Sequence, residues 1–329
     1  MSDIGFSLDI SQHSTRICDT KLEGSSIELL TAGMADTVPF FYENENEKII
    51  EKQAEIIIQL YNKLKIKKRN VHVVIPDEFT FSQIVEMPKL KEKELLAAIK
   101  YQSDEFIPMP IDDTAIDLEI LHEDAKTKKL LILIVATPKK LVNQIEKTLT
   151  MASLTPETLE NELSAIGRLY SDVIHYSGGH KVIFNFGFGN SSIYLVDGTT
   201  SLITMSRTFK IGLELFLRDI KVNLNLSDQQ CMEILKSIGL NPNGSYQVDK
   251  ITQPIMKELV SEIEKFIVLC KDKNGIEIKQ IEAFNYNCVL QGLDEKLQAN
   301  LGIPVQSLQL NTWLASSPLT KTLEIPSYI

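Results

Sequence analysis

Two short stretches hold the residue types that could do chemistry. Residues 183–198 read IFNFGFGNSSIYLVDG, where Gly187 and Gly189 form a turn between two strands and Ser191 follows. A glycine turn lets backbone N–H groups approach an anion closely, because no Cβ stands in the way. A phosphate-handling hairpin would be expected to carry aspartate where Asn185 stands. An amide oxygen still accepts a hydrogen bond but adds no charge to a metal shell that prefers carboxylate oxygens. Residues 8–17, LDISQHSTRI, are the second stretch, with Asp9, Ser11, Ser14 and Arg16 around a polar turn. Read alone, the glycines are hairpin glycines and Asp9 hydrogen-bonds its own turn. No metal centre is expected: His13, His72, His122, His175 and His180 lack ligand spacing and a cysteine companion. Cys18, Cys231, Cys270 and Cys288 form no C-x-x-C pair, and Cys270 falls on an apolar helix stripe.

The whole chain narrows the field. At 329 residues it exceeds the usual single-domain size, so two domains, or one with an insertion, are expected. A net charge of −10 opposes non-specific binding to nucleic acid or anionic lipid, and no nucleic-acid partner is expected. The Met-Ser-Asp start has neither a basic nor an apolar leader segment, and the cysteine pattern suits a reducing cytoplasm. The longest apolar run, Leu130 to Ala136, is too short to cross a bilayer, so a membrane link must come through a partner rather than by direct insertion. The basic run Lys63 to Arg69 reads as a solvated helix end.

The elements that would position these stretches follow from periodicity. Gly5 to Cys18 reads as two strands around a turn and Ser26 to Ala32 as a third. Ile49, Gln53, Ile57, Leu60 and Leu64 then mark one helix face, leading into a strand at Val71 to Ile75. From Asp77 to about Ala152 a separate α+β pattern appears: a polar strand, a helix with Leu95, Ile99, Gln102 and Phe106 on one face, and strands at Ile116–Ile120 and Leu130–Ala136. Leu141, Ile145 and Leu149 stripe a helix within the same stretch, and Pro156 to His175 is predicted as another helix. A second half opens like the first, with strands at Val182–Phe186, Ile193–Val196 and Ser201–Arg207. Ser227-x-x-Gln230 predicts a capping box, Pro254 the first turn of a long helix, and Ile278–Phe284 a last strand ahead of a helix through Leu293, Leu297 and Leu301.

Two meander-plus-helix halves with an insertion in the first have the outline of the actin/Hsp70-like (ASKHA) two-lobe α/β fold. The resemblance sharpens at LDISQHSTRI, MPKLKEKELLAAIKYQSDEFIPMPIDD, LILIVATPKKLVNQIEKTLTMASLTPETLENELSAIGRLY and SRTFKIGLELFLRDI with LSDQQCMEILK. Spread over residues 3 to 310, these stretches resemble the pilus-assembly actin-like proteins, the PilM family, of which FtsA is a more distant relative. The resemblance implies a first lobe of residues 1–76 and 153–178, an inserted α+β subdomain at 77–152, a second lobe at 179–312 and a tail at 313–329. It also implies a cytoplasmic scaffold, not an enzyme, held at the inner membrane through the short cytoplasmic N-terminal tail of a PilN-like protein. The pilus motor ATPase and a second copy of the chain are further partners that it admits. The alternative is an ATP-binding, nucleotide-hydrolysing relative, an FtsA-like division or filament protein or a GspL-like secretion component.

In that fold, paired hairpins hold nucleotide phosphates and acids organise Mg²⁺. By resemblance the nucleotide-site positions are Asp9, Ser11, Ser14 and Arg16 in the first hairpin and Asn185, Gly187, Gly189 and Ser191 in the second, with Gly212, Glu233 and Lys236 beyond. Ser11 stands where the family has glycine, Arg16 where it has lysine and Asn185 where it has aspartate. Asn285-Tyr286-Asn287 replaces the glycines of the adenosine loop, with the Tyr286 ring expected in the adenine's space. ATP and Mg²⁺ are therefore expected to bind weakly or not at all, and no cofactor is assigned. The peptide is expected between the inserted lobe and the first lobe, near Leu95, Ile99 and Phe106, with Asp104 and Glu105 at the rim.

Overall fold

The computed structural model describes residues 5–23, 26–101, 107–286, 289–309, 313–317 and 319–320. It divides into two compact units, Met1–Val173 with Ala315–Leu319, and Ile174–Leu314 with Thr320–Ile329. Each is built on a five-stranded sheet of the same plan. In the first, β1 (Phe6–Ile10), β2 (Ser14–Glu23) and β3 (Ser26–Asp36) form an antiparallel meander, and β4 (Asn70–Ile75) and β8 (Thr155–Asn161) continue it in parallel in the order β3-β2-β1-β4-β8. In the second, β9 (Lys181–Phe186), β10 (Ser191–Val196), β11 (Ile203–Phe209), β12 (Ile281–Phe284) and β13 (Val305–Ser307) repeat it as β11-β10-β9-β12-β13. Strand alternation is legible in β4, where Val71, Val73 and Ile75 turn into the core and the residues between them do not. Six consecutive buried positions in β9, and six in β10, are the mark of strands covered on both faces.

Helices cover these sheets where the apolar stripes dictate. Helix α1 (Glu47–Lys63) starts at Asn46, whose side chain accepts from the Lys48 N–H, and buries Ile50, Ala54, Ile57 and Leu60. Residues between the first and second units' meanders supply a third, smaller sheet, β5-β7-β6, from β5 (Phe81–Pro88), β6 (Thr114–Asp124) and β7 (Lys129–Pro138), against which α2 (Glu92–Tyr101) packs. Leu130–Ala136 thus lies in a sheet separate from that of Val71–Ile75. Helix α3 (Lys139–Met151) does not share that small core. Its Leu141, Ile145 and Leu149 pack with Phe6, Leu8, Ile57 and Val73 of the first unit's main sheet and helix α1, so the self-contained part of the insert ends near Pro138, short of the expected Ala152.

A second expectation changes. Residues 155–161 form edge strand β8, not helix; only Glu162–Arg168 (α4) is α-helical, and Leu169–Ile174 widens into a π-helical turn. The stretch TPETLEN has no apolar alternation because a sheet edge need not bury it, and Pro156 suits an edge position. In the second unit, α5 (Leu213–Leu224), α6 (Asp228–Ser237), the single turn α7 (Val248–Ile251), α8 (Gln253–Asn274) and α9 (Leu293–Leu301) pack on the sheet. The Ser227–Gln230 capping box forms in full, and α8 has proline at its start and Gly275 at φ 65 closing its end.

A buried polar thread fixes α1 to the first hairpin. Gln53, wholly buried, donates from Nε2 to Thr15 Oγ1 at 2.7 Å and accepts the Val38 N–H at 2.9 Å, while the Thr15 and Thr37 hydroxyls lie 2.9 Å apart. Replacing Gln53 by leucine strands a buried N–H and hydroxyl, at about 1–3 kcal/mol for such groups. Urea unfolding of the Gln53→Leu chain should show a loss of roughly that size; an unchanged midpoint would contradict the assignment.

Candidate functional site

In the first hairpin Asp9, Ser11 and Ser14 already have partners, while the buried Arg16 Nε has none. Asp9, at the end of β1, accepts from the Ser11 hydroxyl at 2.9 Å and from Arg16 Nη1 at 2.9 Å. Ser11 also donates its N–H to the Ser14 carbonyl, which closes the turn, and Ser14 itself is buried at the start of β2. Burial raises the Asp9 carboxyl above its ordinary range, against the opposing pull of Arg16 and Ser11.

Beside Asp9 lies a group of acids that spacing along the chain does not reveal. Asp77, just after β4, and Glu162, at the start of α4, exchange bonds: the Asp77 N–H donates to Glu162 Oε2 at 3.2 Å and the Leu163 N–H to Asp77 Oδ1 at 3.1 Å. Burial, reinforced by the charges of Asp77 and Asp9, pushes the Glu162 carboxyl up to about 8. Tyr42 donates its hydroxyl to the Ile10 carbonyl, and burial with Asp9, Glu78 and Glu162 nearby drives its phenol far above the usual value. Among the described residues, no three His, Cys, Asp or Glu side chains are grouped so as to hold a metal ion.

In the second unit the hairpin between β9 and β10 is closed on itself too. Asn185 is buried, and its Oδ1 accepts from Asn285 Nδ2 at 2.8 Å, across the parallel pairing of β9 with β12. A neutral amide suits this place, since a buried carboxylate there would need a cation. A Cβ at Gly187 would sit 2.2 Å from the Asn190 carbonyl oxygen, and one at Gly212 2.2 Å from that of Phe188. The glycines are thus required by backbone packing alone. The first N–H groups of α5, which in an anion site would face the ligand, donate instead: Leu213 to the Gly187 carbonyl at 3.1 Å and Glu214 to that of Phe188 at 2.9 Å. Ser191 is buried and gives its hydroxyl to the Ile211 carbonyl at 2.6 Å, while Gly189 lies in the turn.

Glu233 and Lys236 are exposed on α6. Tyr286 is 1 % exposed and packs in the second unit's hydrophobic core, where burial and then Asp294 raise its phenol well above the ordinary range. Its ring is packed in the second unit's core. A nucleotide, which the fold family implies, would need groups that these residues already use: the Asp9 carboxylate, the Asn185 amide and the α5 N-terminus. As they stand, those three groups are engaged within the chain, while the buried Arg16 Nε of the first hairpin has no partner.

One cavity of the first unit lies elsewhere. A groove of about 400 Å³ runs between the insert and the main sheet's helices, with Phe81 and Met109 on one wall, Leu141 and Gln144 of α3 on the other, and Tyr42 beside Phe79. The Tyr42 and Phe79 rings stack with centroids 4.2 Å apart. Gln144, buried, donates from Nε2 to the carbonyls of Phe41 and Asn44, holding the loop that carries Tyr42. Glu43, Glu45 and Glu78 line the groove together with a single lysine, Lys140, 3.8 Å from Glu45. Leu95 and Ile99 do not line it. Both are wholly buried in the insert's own core against Leu130, Ile132 and Ile134, because the helix needs its apolar face to hold the three-stranded sheet. Phe106, Asp104 and Glu105 lie outside the described residues.

Residues 7–322 match the family model described as type IV pilus assembly protein PilM. The chain belongs to the PilM family. Among solved structures, the chain is similar to a PilM–PilN type IV pilus biogenesis complex, with a TM-score of 0.85 at 16% identity, covering 98% of this chain and 95% of that one. It is also similar to the ethanolamine utilization protein EutJ from Carboxydothermus hydrogenoformans, with a TM-score of 0.54 at 11% identity over 92% of this chain and 84% of that one. MreB 5 of Spiroplasma citri, bound to AMPPNP, matches with a TM-score of 0.51 at 10% identity over 94% and 92%. The fold is actin-like.

For this PilM-family chain, the residues that sequence reasoning missed are Tyr42, Asp77, Phe79, Glu162 and Met109. Asp77 and Glu162 are 85 positions apart, and only the Asn161-x-x-Ser164 cap, with Asn161 accepting the Ser164 N–H, hinted that a helix began at Glu162. Two measurements follow. Glu162 keeps its proton to about pH 8 in the folded state, whereas an ordinary glutamate ionises near 4.5. Its stabilising proton is therefore fully present below about 4.5 and is lost as pH rises through about 8, a slope of up to ~1.4 kcal/mol per pH unit. Thermal melting should fall by roughly 5 °C or more between about pH 6 and about pH 9, and Glu162→Gln should flatten that fall; equal slopes would refute it. Gly187→Ala should cost about 2 kcal/mol or more in unfolding with no nucleotide present, because its Cβ meets a carbonyl; a neutral effect would restore a ligand as the reason for that glycine.

Proposed function

We propose that this chain is a scaffold of a type IV pilus assembly platform that binds the short N-terminal tail of a PilN-like membrane protein and does not turn over nucleotide. One observation carries the reading: the Asp9 carboxylate, the Asn185 amide and the first N–H groups of α5 are engaged within the chain, while the groove beside the insert combines apolar walls with a mostly acidic lining. The family membership supports it, as does similarity to a structure whose name includes PilN. An extended tail would seat apolar side chains on Phe81, Met109 and Leu141 and place a cationic residue among Glu43, Glu45 and Glu78. Tyr42 and Phe79, held by Gln144 and by the Ile10 carbonyl, would form a fixed aromatic wall that loses little freedom on binding. On this reading the chain stands in the cytoplasm, peripheral to the inner membrane through its partner, and is not an enzyme.

The groove is tested by substitution, because deleting the whole of 77–152 would also remove Leu141, Ile145 and Leu149 from the main core. Fluorescence anisotropy with a labelled N-terminal peptide of a PilN-like protein from the same organism should give saturable binding. Met109→Glu should weaken it at least about tenfold, ~1.4 kcal/mol, with melting within a few degrees of the parent. Undiminished binding by a folded Met109→Glu chain would reject the groove. Calorimetric titration with Mg²⁺-ATP should show no low-micromolar binding and phosphate-release assays no turnover; either signal would reject the nucleotide-independent reading.

A further inference from the structure

The end of the first unit farthest from Asp9 is cationic. Strands β1, β4 and β8 run parallel, so their N-terminal ends share one edge of the unit, and the last residues of antiparallel β2 lie beside them. To this edge come the α1–β4 connection, residues 64–69, the α3–β8 connection, residues 152–154, and Lys21 and Leu22 of β2. The connections are braced. Arg69 Nη1 donates to the Ser153 carbonyl at 3.1 Å, the Thr155 N–H to the Arg69 carbonyl at 2.9 Å, and the Tyr61 hydroxyl to the Lys68 carbonyl at 3.1 Å. Lys68 reaches Asp19 Oδ1 at 2.5 Å and so ties the same connection to β2.

The charges on this braced edge are unbalanced. Residues 56–76 contain Lys63, Lys65, Lys67, Lys68 and Arg69 and no Asp or Glu, in a chain with 44 acids against 34 Lys and Arg. Lys68 neutralises Asp19. Lys63, Lys65 and Lys67 are exposed and make no ion pair among the described residues, and the exposed Arg69 bonds a neutral carbonyl while lying 6.0 Å from the centroid of the Tyr61 ring. Exposed Lys21 adds to them, opposite Glu28 on β3. Two apolar side chains stand out at the same edge, Leu22 at 74% and Met151 at 42% exposure.

We propose that this edge is a contact surface for a bilayer carrying anionic headgroups. The chain's overall negative charge does not prevent this, since at physiological salt charges beyond about 8 Å are largely screened and a local group of cations acts alone. Lysines and arginines near an anionic leaflet each add to the attraction, and Leu22 and Met151 can enter the headgroup region beside them. An acidic protein would match the charge but gives those two apolar side chains no role, so lipid is favoured. The surface adsorbs and does not span: no described helix is long and apolar enough to cross a membrane. It also lies at the C-terminal ends of α1 and α3, whereas Glu45, Lys140 and Leu141 place the groove at their N-terminal ends, so the two sites can be occupied independently.

Vesicle flotation of the full chain, without any partner peptide, tests it. Vesicles of phosphatidylcholine with about one-third phosphatidylglycerol should carry the protein at low salt and phosphatidylcholine alone should not, with a loss of roughly tenfold as salt rises to about twice physiological. The K63E/K65E/K67E chain should bind at least about tenfold less with unchanged melting, and Leu22→Ser should lower the salt-resistant remainder. Absence of flotation with anionic vesicles, or undiminished flotation of the triple variant, would overturn the proposal. So would charge-dependent binding of the same lysines to an acidic polypeptide while vesicles stay bare.

Discussion

The exchange between Asp77 and Glu162 governs the first unit, because it ties together the two points where the chain leaves the main sheet, after β4 into the insert and after β8 into α4. Asp77 follows β4 directly and Glu162 follows β8, and the two strands pair in parallel from Asn70 with Thr155 to Ile75 with Asn161. Each residue supplies what the other's backbone lacks: Glu162 accepts the first N–H of the outgoing turn and Asp77 accepts an N–H in the first turn of α4. Asn161 adds bonds to Ser82 and Thr80, and the Thr137 hydroxyl donates to the Phe79 carbonyl at 3.0 Å, so both roots of the insert are held to one joint. The groove wall at Phe79, Thr80 and Phe81 begins at this joint. Its geometry is set by these hydrogen bonds at the joint.

The same joint explains why two carboxyl groups can share so small a space. Two adjacent buried carboxylates repel strongly, and burial penalises each charge, so one retains its proton. Burial first, then the charges of Asp77 and Asp9, raises the Glu162 carboxyl, and Arg16 offsets burial only in part at Asp9. A protonated Glu162 still accepts the Asp77 N–H, so the joint is intact at neutral pH and under strain only in alkali.

Much of this architecture was legible in the sequence, and its limits have physical causes. The meanders, the stripe of α1, the Ser227 capping box and the proline start of α8 are local patterns within one or two turns, and local patterns are what a sequence prints most clearly. Strand β8 was hidden because an edge strand can be polar on both faces. Leu95 and Ile99 marked a true apolar face, but periodicity says only that a face is buried, not against what; the insert's own sheet claimed it. The groove was harder still. Its walls depend on Gln144 reaching Phe41, 103 positions away, and on Tyr42 stacking over Phe79, and neither leaves a spacing in the chain.

On the proposed reading, the loss of nucleotide chemistry is a gain in self-sufficiency. A hairpin that holds a phosphate leaves N–H groups and a carboxylate unsatisfied until the ligand arrives, so its stability depends on ligand concentration. Here Arg16 supplies within the chain the positive charge that a metal would bring to Asp9, Asn285 meets Asn185, and the carbonyls of Gly187 and Phe188 take the first N–H groups of α5. A nucleotide would have to break these bonds before making its own, and each broken bond to a buried group costs about as much as the replacement returns. Gly187 and Gly212 are held by close contacts with neighbouring carbonyls, contacts that need no ligand. On that reading the sheets keep the form of a nucleotide-binding fold while Arg16 and Asn185 bond to groups of the chain itself.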